Sequence, residues 1–185
     1  SLLLSFFSRK MFLDHLGADF IGLTGTLGNI LGFLNLAELG VGASVSYALY
    51  QPIAKGNREE ISRIVSVFGC LYRYIGCFVL VAGIIVSAFF PLMFQHTIFE
   101  LGIIYFAFFS LLTSSLIGYF INYRSILLYA DQKNYVVTAY FQTAILIKTL
   151  VQMALVCYTA NLYLWVSIEL VYSFIHATIL NWKIR

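Results

Sequence analysis

Apolar residues in this chain come in long runs rather than in the strict alternation of a half-buried strand. After a short apolar start at 1–7, the runs fall at about 20–50, 64–90, 98–123, 135–158 and 162–182. Each reaches the roughly 20 residues that a helix needs to cross a bilayer core. Polar stretches at 8–19, 51–63, 91–97 and 124–134 separate them, with a short break at 158–161. The pattern predicts an all-α, polytopic membrane bundle of about six transmembrane helices. The start at 1–7 is too short to span and reads as the back half of a truncated first helix.

Local signals refine the elements. Asn57, followed by Arg58, Glu59 and Glu60 ahead of an apolar run, has the spacing of a capping box, so the next helix starts in polar medium before entering lipid. Glu59 and Glu60 then complement the helix dipole and are not an acid and base pair. Within 20–50, Gly25, Gly28, Gly32, Asn35, Gly42 and Ser46 follow an alternating three-and-four spacing that only Leu39 interrupts. Gly69, Gly76 and Gly83 form a heptad seam. Both patterns predict faces where helix backbones approach closely. Trp165 and Trp182 stand about 25 Å of helical rise apart, the spacing of rings at the two membrane interfaces.

Composition narrows the class. Apolar residues make up 61% of the 185 and charged residues only 10%, against roughly a quarter charged in soluble domains. An ordinary soluble enzyme domain, a disordered chain and a collagen-like one are excluded. A net charge of +3 is too small to point to nucleic acid. Its distribution is informative, because Lys55, Arg58, Arg63, Arg124, Lys133, Lys183 and Arg185 fall on alternate connections and only Arg9 and Lys10 on the others. The first set marks the cytoplasmic side. Cys70, Cys77 and Cys157 lie inside apolar runs without a paired spacing, so they predict packing rather than disulfides or a metal site.

Ionisable groups inside spans are functional candidates by default. Glu38 lies about twelve residues from the cytoplasmic end of its segment, roughly 18 Å deep at 1.5 Å per residue. Lys148 and Glu169 fall at nearly the same depth, so three charges on three helices are expected to share one layer. Glu169, Tyr172, Ser173 and His176 occupy one helical face, and Lys148 is flanked by Gln142, Thr149 and Gln152. These faces predict either a water-filled chamber or a neutralised pair in a packed bundle. Arg73, within a Tyr-Arg-Tyr step, reads as a chamber cation or an interface anchor. Arg9 outside, and Arg124 inside, are placed to meet an anionic head group at either mouth or to anchor the interface.

No Walker loop, HExxH, GxSxG or aspartate cluster is present, and Asp14, Asp19 and Asp131 stand apart. Catalysis on a substrate is therefore disfavoured, and no metal or cofactor is expected beyond H⁺ or Na⁺ coupling. A transporter needs only a polar chamber, gates and a bundle with two arrangements.

Several stretches are then familiar: Ser8-Arg9 through Phe12, Leu16-Gly17, Gly22-Leu-Thr-Gly25, Asn29-Ile-Leu31 and Leu36-Ala-Glu-Leu-Gly-Val-Gly42. With Tyr47-Ala-Leu-Tyr-Gln-Pro52, Tyr119-Phe-Ile-Asn-Tyr-Arg124 and Ala130-Asp-Gln-Lys133, the chain resembles the lipid-linked oligosaccharide (polysaccharide) flippases of the multidrug, oligosaccharidyl-lipid and polysaccharide exporter superfamily. That resemblance implies the N-terminal lobe of a two-lobe, MATE-like transporter whose C-terminal lobe is missing from this chain. It implies a multi-pass protein of the bacterial inner membrane that moves polyprenyl-pyrophosphate-linked oligosaccharides between leaflets, coupled to an ion gradient. It supports Glu38 and Arg9 as site residues, whereas Asn35, Lys148, Glu169 and His176 rest on placement. Gln51 stands where relatives often carry Lys. A small-cation antiporter of the same superfamily, a polyprenyl-linked glycosyltransferase using Asp14 and Asp19, and a purely structural subunit are the alternatives.

Overall fold

The computed structural model describes residues 2–38, 40–132, 134–159 and 161–184; the side chains of some helical residues, Arg124 among them, lie outside what is described. Lys133 and Arg185, two of the residues that set the expected topology, also lie outside it. Among the described residues the fold is helical throughout: α1 (Leu2–Leu16), α2 (Ala18–Leu34), α3 (Val41–Ala54), α4 (Arg58–Ser87), α5 (Phe90–Met93), α6 (Leu101–Phe120), α7 (Ile126–Ala130), α8 (Asn134–Tyr158) and α9 (Leu162–Ile184). Short 3-10 turns at Asn35–Glu38 and Asn122–Ser125 join α2 to α3 and α6 to α7.

Among the described residues, four helices are long and apolar enough to cross a membrane, covering Arg58–Ser87, Leu101–Phe120, Val137–Tyr158 and Leu162–Leu180. Large apolar side chains cover the outside as well as the core. Val81, Ile84 and Ile85 of α4 and Leu146, Ile147 and Leu150 of α8 are all exposed, which is the surface that lipid rather than water solvates. The chain is a helical membrane protein.

Helix α6 is the hub, packed against α2, α4 and α9, while α8 lies on α9 and α1, and α3 on α4 and α7. Phe20 and Leu27 of α2, Leu49 of α3, Val79 of α4, and Ile104, Phe108 and Leu112 of α6 are almost wholly buried where these helices meet. Phe90 of α5 plugs the core edge-on to Phe108, with centroids 4.8 Å apart. The predicted seam lets α4 approach α6. A β-carbon on Gly76 would stand 3.1 Å from Tyr119 Cβ, and one on Gly83 would stand 2.9 Å from Leu112 Cδ2. The start of α4 is built as its sequence predicts. The Asn57 side chain accepts from the Glu60 amide at 3.2 Å, satisfying one backbone donor that the first turn otherwise leaves open, and its Nδ2 donates to the Glu60 carboxylate at 3.0 Å.

Three expectations need correction. The segment 20–50 is not one helix, because the chain leaves helical geometry at Asn35–Glu38 and turns at Gly40, whose φ of 85° is a left-handed conformation that residues with a β-carbon avoid. The small-residue pattern is therefore split between α2 and α3. The polar stretch 8–19 is not a loop: α1 continues to Leu16, with Arg9 and Lys10 exposed on it, and only Gly17 at φ 86° separates it from α2. Charged residues on a solvated helix face do not interrupt the helix. Trp165 packs edge-on against Phe12 of α1 at 5.8 Å and Phe20 of α2 at 5.6 Å. Trp182 is exposed, and so are Cys70, Cys77 and Cys157, which face outward instead of packing inside.

Candidate translocation site at a broken helix

The break between α2 and α3 places polar backbone and two half-buried polar side chains, Asn35 and Glu38, against an apolar bundle. Irregular backbone within a membrane is tolerated where it lines a cavity or is buried in protein, and here it does the first. A cavity of about 530 Å³ opens between the break, α3, α4, α6 and the turn leading to α7. Asn35 and Glu38 enter it from the break, Tyr72 from α4, and Ser115 and Tyr119 from α6.

The partners explain why the break sits where it does. The Tyr72 hydroxyl donates to the Glu38 carboxylate. The Asn35 Oδ1 accepts from Ser115 Oγ and from the Tyr119 hydroxyl, each at 3.0 Å. A carboxylate and an amide that a straight apolar helix would leave unsatisfied are thus held by donors on α4 and α6. Ser115 and Tyr119 are four residues apart and share a face of α6, while Tyr72 follows Gly69 by three and precedes Gly76 by four. The glycine seam therefore turns Tyr72 toward α6, and its ring lies 5.6 Å from that of Tyr119.

Lys148 and Glu169 make a second polar centre. They form an ion pair at 2.7 Å, each side chain about one-fifth exposed. Gln152, 2% exposed, donates from Nε2 to the Trp165 carbonyl at 3.3 Å and to the other Glu169 oxygen at 3.5 Å. Tyr172, Ser173 and His176 extend this face along a cavity of about 150 Å³ between α8 and α9. His176 lies edge-on to Phe141, and its Nε2 is buried without a hydrogen-bond partner.

The residues expected to share one chamber thus separate. Asn35 and Glu38 line the larger cavity, whereas Lys148, Glu169 and His176 line the smaller one. Arg73 is exposed on α4 and lines neither, since it stands one position, about 100° of helix, from Tyr72. Arg9 is exposed on α1, and the side chain of Arg124 lies outside the described residues. The charge and spacing patterns of the sequence do not single out Tyr72, Ser115 and Tyr119. The signal for them was present in the i, i+4 pair on α6 and in the register of Tyr72 with the glycine seam. Among the described residues no three His, Cys, Asp or Glu side chains are grouped to hold a metal ion. Compared with protein families, curated proteins and solved structures, the chain finds no match.

Proposed function

We propose that this chain is one lobe of a secondary transporter that flips polyprenyl-pyrophosphate-linked oligosaccharides across the bacterial cytoplasmic membrane. In this reading α1, the broken pair α2 and α3, α4, α6, α8 and α9 are six passes of an N-terminal lobe, and a second lobe completes the path. The observation that carries it is the broken helix at Asn35–Gly40 opening into a polar cavity inside an apolar bundle. Broken helices at mid-membrane sites are how secondary transporters expose polar groups to a solute without exposing backbone to lipid. The substrate follows from the resemblance in Leu36–Gly42 and the neighbouring stretches. Tail and head group are then handled separately, because carrying sugars and pyrophosphate through hydrocarbon costs far more than passing them through a polar cavity.

Glu38 is the group proposed to couple the cycle to H⁺ or Na⁺, being the carboxylate at the break. The test is leaflet-to-leaflet translocation of an undecaprenyl-pyrophosphate oligosaccharide by the complete protein in proteoliposomes. Native protein should flip it, and Glu38→Gln should slow flipping at least tenfold while the response to an imposed ion gradient disappears. Gradient-driven flipping retained in Glu38→Gln removes Glu38 from the coupling step. One observation favours a second reading, small-cation antiport: the larger cavity holds a carboxylate and, among the described residues, no lysine or arginine. Gradient-driven export of a small organic cation, with no lipid flipped by native protein, would select it.

A further inference from the structure

A polyprenyl-pyrophosphate-linked sugar has three parts that ask for different walls. The tail asks for lipid, the pyrophosphate for cations and amide donors, and the sugar for groups that both donate and accept beside apolar or aromatic surface. The cavity at the break offers the last of these. Around the one carboxylate, Glu38, stand the hydroxyls of Ser46, Ser115, Ser125 and Tyr129 and the amide of Asn35, and no described cation reaches them. Its volume of about 530 Å³ lies within the roughly 300–1,000 Å³ of small-molecule sites.

The hydrogen bonds already made leave a definite set for a ligand. Asn35 spends its Oδ1 on Ser115 and Tyr119, which leaves its Nδ2 as the donor. Glu38 takes the Tyr72 hydroxyl on Oε1 and has the Tyr119 hydroxyl beside it as well, and of a carboxylate's roughly four acceptor sites this leaves some for a ligand. A donor and an acceptor on one turn suit sugar hydroxyls, each of which gives and takes a hydrogen bond. Pyrophosphate suits this wall poorly, because a carboxylate repels it and the hydroxyls do not neutralise it. An organic cation is the competing occupant, since it would pair with the Glu38 carboxylate; the hydroxyls and amide around that carboxylate favour the sugar, and the titration below separates the two.

We infer that the cavity formed by Asn35, Glu38, Ser46 and Tyr129 is the subsite for the sugar, and that the pyrophosphate is held outside it; this rests on the flippase reading above. The experiment compares native full-length protein with Asn35→Ala and Ser46→Ala in proteoliposomes. Ser46 makes none of the hydrogen bonds that hold the break, so its variant keeps the test open if Asn35→Ala fails to fold. Two lipids are used, polyprenyl pyrophosphate bearing a trisaccharide as substrate and sugar-free polyprenyl pyrophosphate as competitor. Each variant should raise KM for the glycosylated lipid about tenfold, the worth of one lost hydrogen bond, and leave the competitor's inhibition constant unchanged. Equal weakening of both lipids, or of neither, overturns the inference while flipping by native protein leaves the flippase reading standing. If native protein flips neither lipid, that reading falls, and calorimetric titration with methyl glycosides and tetraethylammonium decides the cavity separately. Glycoside binding weakened by Ser46→Ala upholds a sugar site, whereas tetraethylammonium binding weakened by it, without glycoside binding, overturns it.

Discussion

On α4, Gly69, Gly76 and Gly83 each have a side chain of the α6 region pressed against the position where a β-carbon would be, with contacts from 2.8 to 3.0 Å at Tyr123, Phe120 and Leu112. On α2, Gly22, Gly25, Gly28 and Gly32 repeat at similar helical spacing, and a β-carbon on any of them would meet nothing within 4 Å. Spacing of small residues therefore marks a face fit for close approach without saying whether this chain supplies the partner. The seam on α4 is consumed inside the bundle, where it brings Tyr72 to Tyr119 and closes one wall of the cavity. The stripe on α2 leads along an uncovered face to the break at Asn35. In the two-lobe reading, that uncovered face is where a second lobe would work against this one, so the two stripes would do different jobs: one fixes the cavity, the other borders the moving surface.

The sharpest way to break this contrast is to fill the α4 seam. Gly76→Val should cost about 3 kcal/mol, the upper range for overpacking, because the added groups meet the Tyr119 β-carbon and not merely the end of a flexible chain. The expected result is a large loss of monodisperse detergent-solubilised protein and a lower melting temperature in the survivors. Unchanged melting would mean that α4 and α6 do not meet as described.

A smaller effect is expected at the end of the α2 stripe. Gly40 holds φ at 85°, so Gly40→Ala should cost about 1–2 kcal/mol, the penalty of a left-handed conformation for a residue with a β-carbon. Gly40→Asn should recover part of it, since Asn tolerates that region better. Thermal unfolding of the three proteins gives the order Gly, Asn, Ala. Equal stability of all three would restore the single helix over 20–50 that the apolar run first suggests.

The difference between these regions also explains how much the sequence could tell. Spans α4, α6, α8 and α9 were legible because length and hydropathy act over twenty or more residues, and the α4 start because Asn57 and Glu60 stand at capping distance. The facing of Lys148 and Glu169 was legible too, since a charge in lipid leaves few options except a partner at its own depth. The break was not, because glycines keep a helical period whether or not the helix continues, and the left-handed turn at Gly40 leaves no mark in hydropathy. The stretch 8–19 misleads for the opposite reason: polarity suggests a loop where α1 simply exposes Arg9 and Lys10. Tyr72 and Tyr119 are hidden in the sequence because a tyrosine in an apolar run counts as apolar, whereas in the fold their hydroxyls donate to Glu38 and Asn35.

The smallest change expected in stability is the most informative about the uncovered stripe. Gly28→Ala adds a methyl that meets nothing in this chain and removes a glycine from a helix interior, so it should leave stability unchanged or raise it by up to about 1 kcal/mol. If the α2 face borders a second lobe, the same methyl narrows a gap that must open and close during transport. Flipping by the complete protein should then fall severalfold while the melting temperature holds or rises, and Gly28→Leu should abolish flipping with the protein still folded. Filling Gly76 lowers both together, because it spoils packing that stands in every state. Transport untouched by both Gly28 variants would mean that the stripe faces lipid throughout the cycle, and that its small residues serve neither packing nor motion.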